Sequence, residues 1–142
     1  MTSVLFVCTR NSCRSQMAEG WARHLHAAWL EAASAGSEPY RVDPLAIRVM
    51  AEVGIDISGQ RSKSVGEFEG TPMDHVFTLC ADAHGNCPVW LGGGAVVHHG
   101  FDDPQRLPAS GASEAETLAS YRRVRDEIGA WVQSAVGSLN RG

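Results

Sequence analysis

The feature that most constrains this chain is the unbroken apolar run Val4-Leu5-Phe6-Val7, which follows Ser3. So short a run does not make a helix, and without polar alternation neither face of a strand here can meet water. Strands buried on both faces belong to parallel sheets, whose crossover helices cover them. The residues downstream supply such crossovers. Met17, Trp21, Leu25 and Ala28 recur at helical spacing, in a helix expected to fade near Trp29 or Leu30. Residues 32–36 (AASAG) read as a weaker second strand ending at a glycine turn. Pro44 suits the first turn of a helix capped by Asp43, with Leu45, Ile47, Val49, Met50 and Val53 following and Gly54 as the stop. Residues 74–79 (DHVFTL) read as a third strand and 95–98 as a fourth, before a last helix with Leu118, Tyr121, Val124, Ile128, Trp131 and Val132 on one face. Strands alternating with helices predict a three-layer α/β fold, a four-stranded parallel sheet flanked by helices with right-handed crossovers.

At 142 residues the chain is expected to form a single domain over 1–142, with no repeat or dividing linker. Its net charge is −4, and eleven of its twelve basic residues are Arg, with Lys63 the only lysine. Lacking a basic run, it is not expected to bind nucleic acid. No apolar stretch approaches the ~20 residues of a membrane span. The opening MTSVLFVCTR is not expected to be a signal peptide, so a cytoplasmic location is expected. In a reducing compartment four cysteines point to catalysis, metal binding or burial more than to structural bridges.

The strongest local signal is Cys8-Thr9-Arg10-Asn11-Ser12-Cys13-Arg14-Ser15, between the first strand and the first helix. Four cysteines and eleven arginines in 142 residues give about 0.3 Cys-x5-Arg pairs by chance, so the pair alone says little. Its position says more. A loop entering a helix aims several backbone N–H groups and the positive helix end at one point, which suits an oxyanion. Arg14 adds a bidentate fork for a tetrahedral anion. The same field stabilises a thiolate, making Cys8 the candidate nucleophile. Cys13 has no arginine at the matching offset and reads as a loop residue, and Arg10 either adds positive potential or faces solvent.

This loop resembles that of the low-molecular-weight tyrosine phosphatases. The runs VLFVCTRNSCRSQMAEGWARH, TLCADAHGNCP and HHGFDDP, with the SAG turn at 34–36 and GIDIS at 54–58, resemble more closely the thioredoxin-coupled arsenate reductases of that fold. The resemblance implies arsenate reduction by a relay of Cys8, Cys80 and Cys87. Cys8 would form a thiol–arsenate adduct, Cys80 would attack Cys8 and release arsenite, and Cys87 would take the disulfide outward to thioredoxin. The residues suit this. Two thiols becoming one disulfide supply the two electrons, and a third thiol moves that disulfide to where a protein reductant can reach it. Gly85, Asp82, His84 and Asn86 between Cys80 and Cys87 are compatible with the loosening on oxidation that the resemblance implies. Zinc is disfavoured, since no Cys-x2-Cys pair is present.

Departing hydroxide or alkoxide needs a proton. Gly100-Phe101-Asp102-Asp103-Pro104 places a carboxyl group at the same sheet edge, and the resemblance gives Asp103 the acid's role, with Asp102 a solvated neighbour. Gln105 follows, where tyrosine phosphatases of this type carry an aromatic. Thr9, Arg10, Asn11, Ser12, Cys13, Arg14 and Ser15 form the expected oxyanion cradle, with Asn11 holding its shape and Ser15 either bonding the thiolate or capping the helix. Some relatives bind potassium near this asparagine through the residues matching Glu19 and Ser34 and an aspartate after the GIDIS-like segment, near the place of Lys63 here. Lys63 offers an ammonium there, so no metal and no cofactor is expected. His98-His99 read as a strand end, and residues 104–113 as a long loop that either shapes the site mouth or is a surface insertion. The partners expected are arsenate and thioredoxin, for a monomer. A small phosphatase, or an anion-binding redox sensor, remains the alternative.

Overall fold

A computed structural model describes residues 1–80, 95–105 and 113–140. In chain order, β1 is Thr2–Cys8, α1 Arg14–His26, β2 Leu30–Gly36, α2 Pro44–Glu52, β3 His75–Thr78, β4 Ala95–His98 and α3 Glu114–Trp131. A 3-10 turn, Val65–Phe68, precedes β3, and α3 runs on through a π turn, Val132–Val136. All strands are parallel, in the order β2-β1-β3-β4.

The apolar run explains the architecture. Val4, Leu5, Phe6 and Val7 have no exposed surface, and pleating sends alternate residues to opposite faces. Val4 and Phe6 join Met17, Val49, Met50, Val124 and Ile128 in a core that all three helices build. Leu5 and Val7 join Ala35, Met73 and Val76 in a smaller cluster, against which Val65 and Phe68 of the 3-10 turn pack. The predicted layers are therefore present, but among the described residues the helices crowd onto one face and a turn covers the other. Truncating Phe6, which also stacks with Phe77 and meets Trp131 edge-on, would cost about 3–5 kcal/mol.

Local chemistry sets the element ends. Asp43 Oδ1 accepts from the Leu45 amide, Pro44 fills the first helical position, and Gly54 ends the segment at a φ of 81°. α3 opens with a reciprocal Ser113–Glu116 capping box. Several boundaries differ from expectation, α1 ending at His26 and not near Trp29 or Leu30 among them, and two starts have a clear reason. α1 begins at Arg14, three residues before its apolar periodicity, because the anion loop runs directly into its first turn. β2 begins at Leu30, where the sequence pattern still continues a helix, because parallel pairing with β1 starts at Thr2.

β1 lies between β2, reached through α1, and β3, reached after α2. This is the point where strand order reverses, and α/β sheets bind ligands beyond strand carboxyl ends at such points. Cys8 is the last residue of β1. Of the described residues, no helix is long and apolar enough to cross a membrane.

Candidate active site

Between Cys8 and α1 the backbone turns its carbonyls outward. Thr9 O accepts from the Glu38 amide, Arg10 O from Tyr40, and Ser12 O from Asp43. Asn11 O accepts from the Gln16 side chain. Because a trans peptide opposes its C=O and N–H, the amides of Arg10, Asn11, Ser12 and Cys13 point the other way, into the loop. A ring of inward amides is an anion cradle. Asn11 takes a φ of 48°, as a residue in such a ring can, and is fully buried. Gly36 lies against the ring so closely that a Cβ there would sit 2.5 Å from Thr9 O and 2.8 Å from Asn11 N. No other residue fits.

Side chains complete the cradle. Ser15 Oγ lies 2.8 Å from Cys8 Sγ, where either can donate, and accepts from Asn11 Nδ2 at 2.8 Å; a Cys8 thiolate would take the Ser15 proton. Of the two roles foreseen for Ser15, the hydroxyl thus serves the thiol, and no side chain caps α1. Asn11 Oδ1 accepts from the Lys63 amide and from Gln16, so its side chain ties the loop to the 60–63 segment. Gln16 in turn donates to Arg61 O and accepts from Gln60. These two glutamines lay outside the sequence reading, and no local pattern marks them.

Arg14 donates to Phe101 O at 3.2 Å and lies 3.6 Å from Asp103 Oδ2. The arginine of the loop and the candidate acid therefore meet at one mouth. Asp102 instead faces outward, paired with Arg123 at 3.0 Å. Arg10 is exposed and lines, with Tyr40, Arg41, Asp43, Gln105 and Tyr121, a cavity of about 360 Å3 beside the loop. Cys13 is buried, and burial together with the carboxylates of Asp43 and Asp103 holds its thiol well above its ordinary pKa.

Cys80 follows β3 and is 6% exposed. Leu79 N donates to Val7 O, which continues the strand register and sets Cys80 level with Thr9. Its sulfur is 3.8 Å from Thr9 Oγ1. Cys8 and Cys13 are free thiols. Cys87 lies outside the described residues, as do Asp82, His84, Gly85 and Asn86 and most of the 104–113 loop.

Lys63 and Glu19 come together as foreseen, with Nζ 3.7 Å from Oε1. Glu19 also accepts from Ser34 Oγ at 2.6 Å and pairs with Arg23. Desolvation lowers the Lys63 pKa, opposed by Glu19. Among the described residues no group of three His, Cys, Asp or Glu side chains is placed to hold a metal. His98 Nδ1 meets Thr78 Oγ1 at 2.8 Å and His99 stacks on Trp131, so both serve the strand end.

A cysteine on an inward-amide ring, a following arginine and a facing aspartate agree with the sequence profile of low molecular weight phosphotyrosine protein phosphatases, which matches residues 3–141. The chain belongs to that family. Within it, the chain is 47% identical to an arsenate reductase of Halalkalibacterium halodurans over 89% of this chain and 88% of that one. It is equally similar to an arsenate reductase of Bacillus subtilis, with the same shares covered. A solved arsenate reductase in a phosphate-binding state superposes with a TM-score of 0.82 at 37% identity, covering 99% of this chain and all of that one. The family fold is the one expected from the strand and helix pattern.

Proposed function

We propose that the chain reduces arsenate to arsenite with electrons from its own thiols. What favours reduction over hydrolysis is Cys80, whose sulfur rests against Thr9, the neighbour of Cys8. A phosphatase needs the loop and the acid but has no use for a second thiol there. The arsenate reductases among its relatives support the same reaction.

The Cys8 thiolate attacks arsenic held by the loop amides and Arg14. An As–O bond breaks as Asp103 gives its proton to the departing oxygen, which leaves as water. Cys80, as thiolate, then attacks Cys8 Sγ. The S–S bond forms, the S–As bond breaks, and its electron pair stays on arsenic, taking As(V) to As(III). Cys87 attacks Cys80 in turn, which frees Cys8 and leaves a Cys80–Cys87 disulfide. Thioredoxin supplies the two electrons that reopen it by exchange. Asn11, Ser12, Thr9, Arg10 and Cys13 contribute backbone to the cradle, and Ser15 steadies the Cys8 sulfur. The chain works as a monomeric domain over 1–142 in a reducing cytosol, with no metal or cofactor.

Phosphate shares the shape and charge of arsenate, so slow hydrolysis of phosphomonoesters through Cys8, Arg14 and Asp103 is expected beside the reduction. Steady-state arsenite production with thioredoxin tests the relay. Cys80→Ser should stop multiple turnover while phosphomonoester hydrolysis, which uses one thiol, persists. Continued turnover by Cys80→Ser would show the relay to be wrong.

A further inference from the structure

A general acid on a loop is useful only if the loop delivers its carboxyl to the leaving oxygen. Asp103 touches Arg14, but a 3.6 Å ion pair at the mouth of an anion site is one that an incoming anion competes for. The residue two positions on has contacts that hold the acid's end of the loop independently of that pair. The Gln105 amide donates to Asp103 Oδ1 at 3.0 Å. Its side-chain Nε2 donates to Asp43 Oδ2 at 2.9 Å and to Ser12 Oγ at 3.3 Å.

Asp43 is itself fixed. It is buried, its Oδ1 caps α2 through the Leu45 amide, and its Oδ2 also accepts from the Tyr121 hydroxyl of α3. One residue thus touches the acid through its backbone, and the anion loop and the α2–α3 frame through its side chain. Gln105 is exposed and belongs to neither core cluster, so hydrogen bonding is what it offers. Its neutrality matters as well. A glutamate of the same length would bring a second carboxylate against Asp43.

We propose that Gln105 is a positioning residue for the general acid, clamping the Asp103 loop to Ser12 and Asp43 so that the Asp103 carboxyl meets the leaving oxygen. This rests on the assignment of Asp103 as the acid of arsenate reduction. A misplacement of about 1 Å can cost up to 100-fold, so a loosened clamp is expected to lower kcat roughly tenfold. The KM for arsenate should stay within about twofold, since the cradle that binds it is unchanged.

A double-mutant cycle isolates this role. Arsenate reduction is measured for the wild type, Gln105→Ala, Asp103→Asn and the double variant, with kcat, KM and the pH profile for each. Gln105→Ala should lower kcat roughly tenfold and keep a weakened dependence on the acid's ionisation, which Asp103→Asn loses altogether. In the Asp103→Asn background it should cost nothing further. Gln105→Glu should do at least as badly as Gln105→Ala. An equal loss in both backgrounds, a loss confined to KM, or no loss would overturn the clamp. An unimpaired Asp103→Asn would remove the acid assignment and the clamp with it. Should the wild type not reduce arsenate, the same cycle on hydrolysis of phenyl phosphate, whose poor leaving group needs the acid, judges the clamp apart from the reaction.

Discussion

Cys8 and Cys13 lie five residues apart in one loop, and each is 3% exposed, yet their surroundings oppose each other. Cys8 ends a strand, meets a hydroxyl whose other partner is Asn11, and shares its loop with inward amides. Cys13 stands at the N-cap of α1 with the carboxylates of Asp43 and Asp103 near it, which oppose a thiolate. Burial alone therefore does not separate nucleophile from bystander. Which dipoles and charges face the sulfur does. Two carboxylates near the loop also have different surroundings: Asp103, the proposed acid, faces Arg14, whereas Asp43 is spent on a helix cap, Tyr121 and Gln105.

The contrast is easiest to break at the nucleophile. Cys8→Ser should reduce arsenite production by about 10^5 or more, as loss of a nucleophile that works with partners does. Turnover in steady-state assays checks it. Asp103→Asn should lower kcat by about 10^2–10^4, the range of general acid catalysis, with the largest effect on poor leaving groups. Ser15→Ala removes one hydrogen bond to the reacting sulfur. It should slow Cys8 alkylation by iodoacetamide and lower kcat roughly tenfold, the worth of about 1.4 kcal/mol. Cys13→Ala should leave kcat within about twofold, since that side chain gives nothing to the anion. A larger loss would erase the distinction between the thiols.

The same variant sharpens the electrostatic half of the comparison. Folding raises the Cys13 pKa above its ordinary 9.0 and the Tyr121 pKa well above its ordinary 10.0. Well below pH 9, near neutrality, both groups are protonated folded and unfolded alike, so neither makes stability depend on pH there. As pH rises through 9–10 the unfolded chain loses these protons first, and stability should fall. Urea denaturation between pH 7 and 10.5 should show that decline in the wild type and a shallower one in Cys13→Ala.

What the sequence made legible follows from range. The apolar run Val4–Val7, the Pro44 helix capped by Asp43 and the Cys8–Arg14 spacing are local, and chemistry a few residues long determines them. The meeting of Lys63 with Glu19 was reachable because one lysine and one motif narrowed the choice. The Asp43–Tyr121–Gln105 network was not, since its partners come from 62 to 78 positions away and none sits in a periodic pattern. Gln105 was visible only as a residue standing where an aromatic would be. Gly36 read as a turn residue, whereas its use is to let backbone approach the anion loop. The early start of α1 was hidden because its first turn, Arg14 to Gln16, is buried through polar side chains and carries no apolar stripe.

The relay itself is tested most directly by one measurement. Fully reduced protein is mixed with arsenate in the absence of any other reductant, arsenite is counted, and the disulfides are mapped by mass spectrometry. The relay should yield one arsenite per chain, a Cys80–Cys87 bond, and free Cys8 and Cys13. Unchanged thiols, or a stable disulfide that includes Cys13, would contradict it.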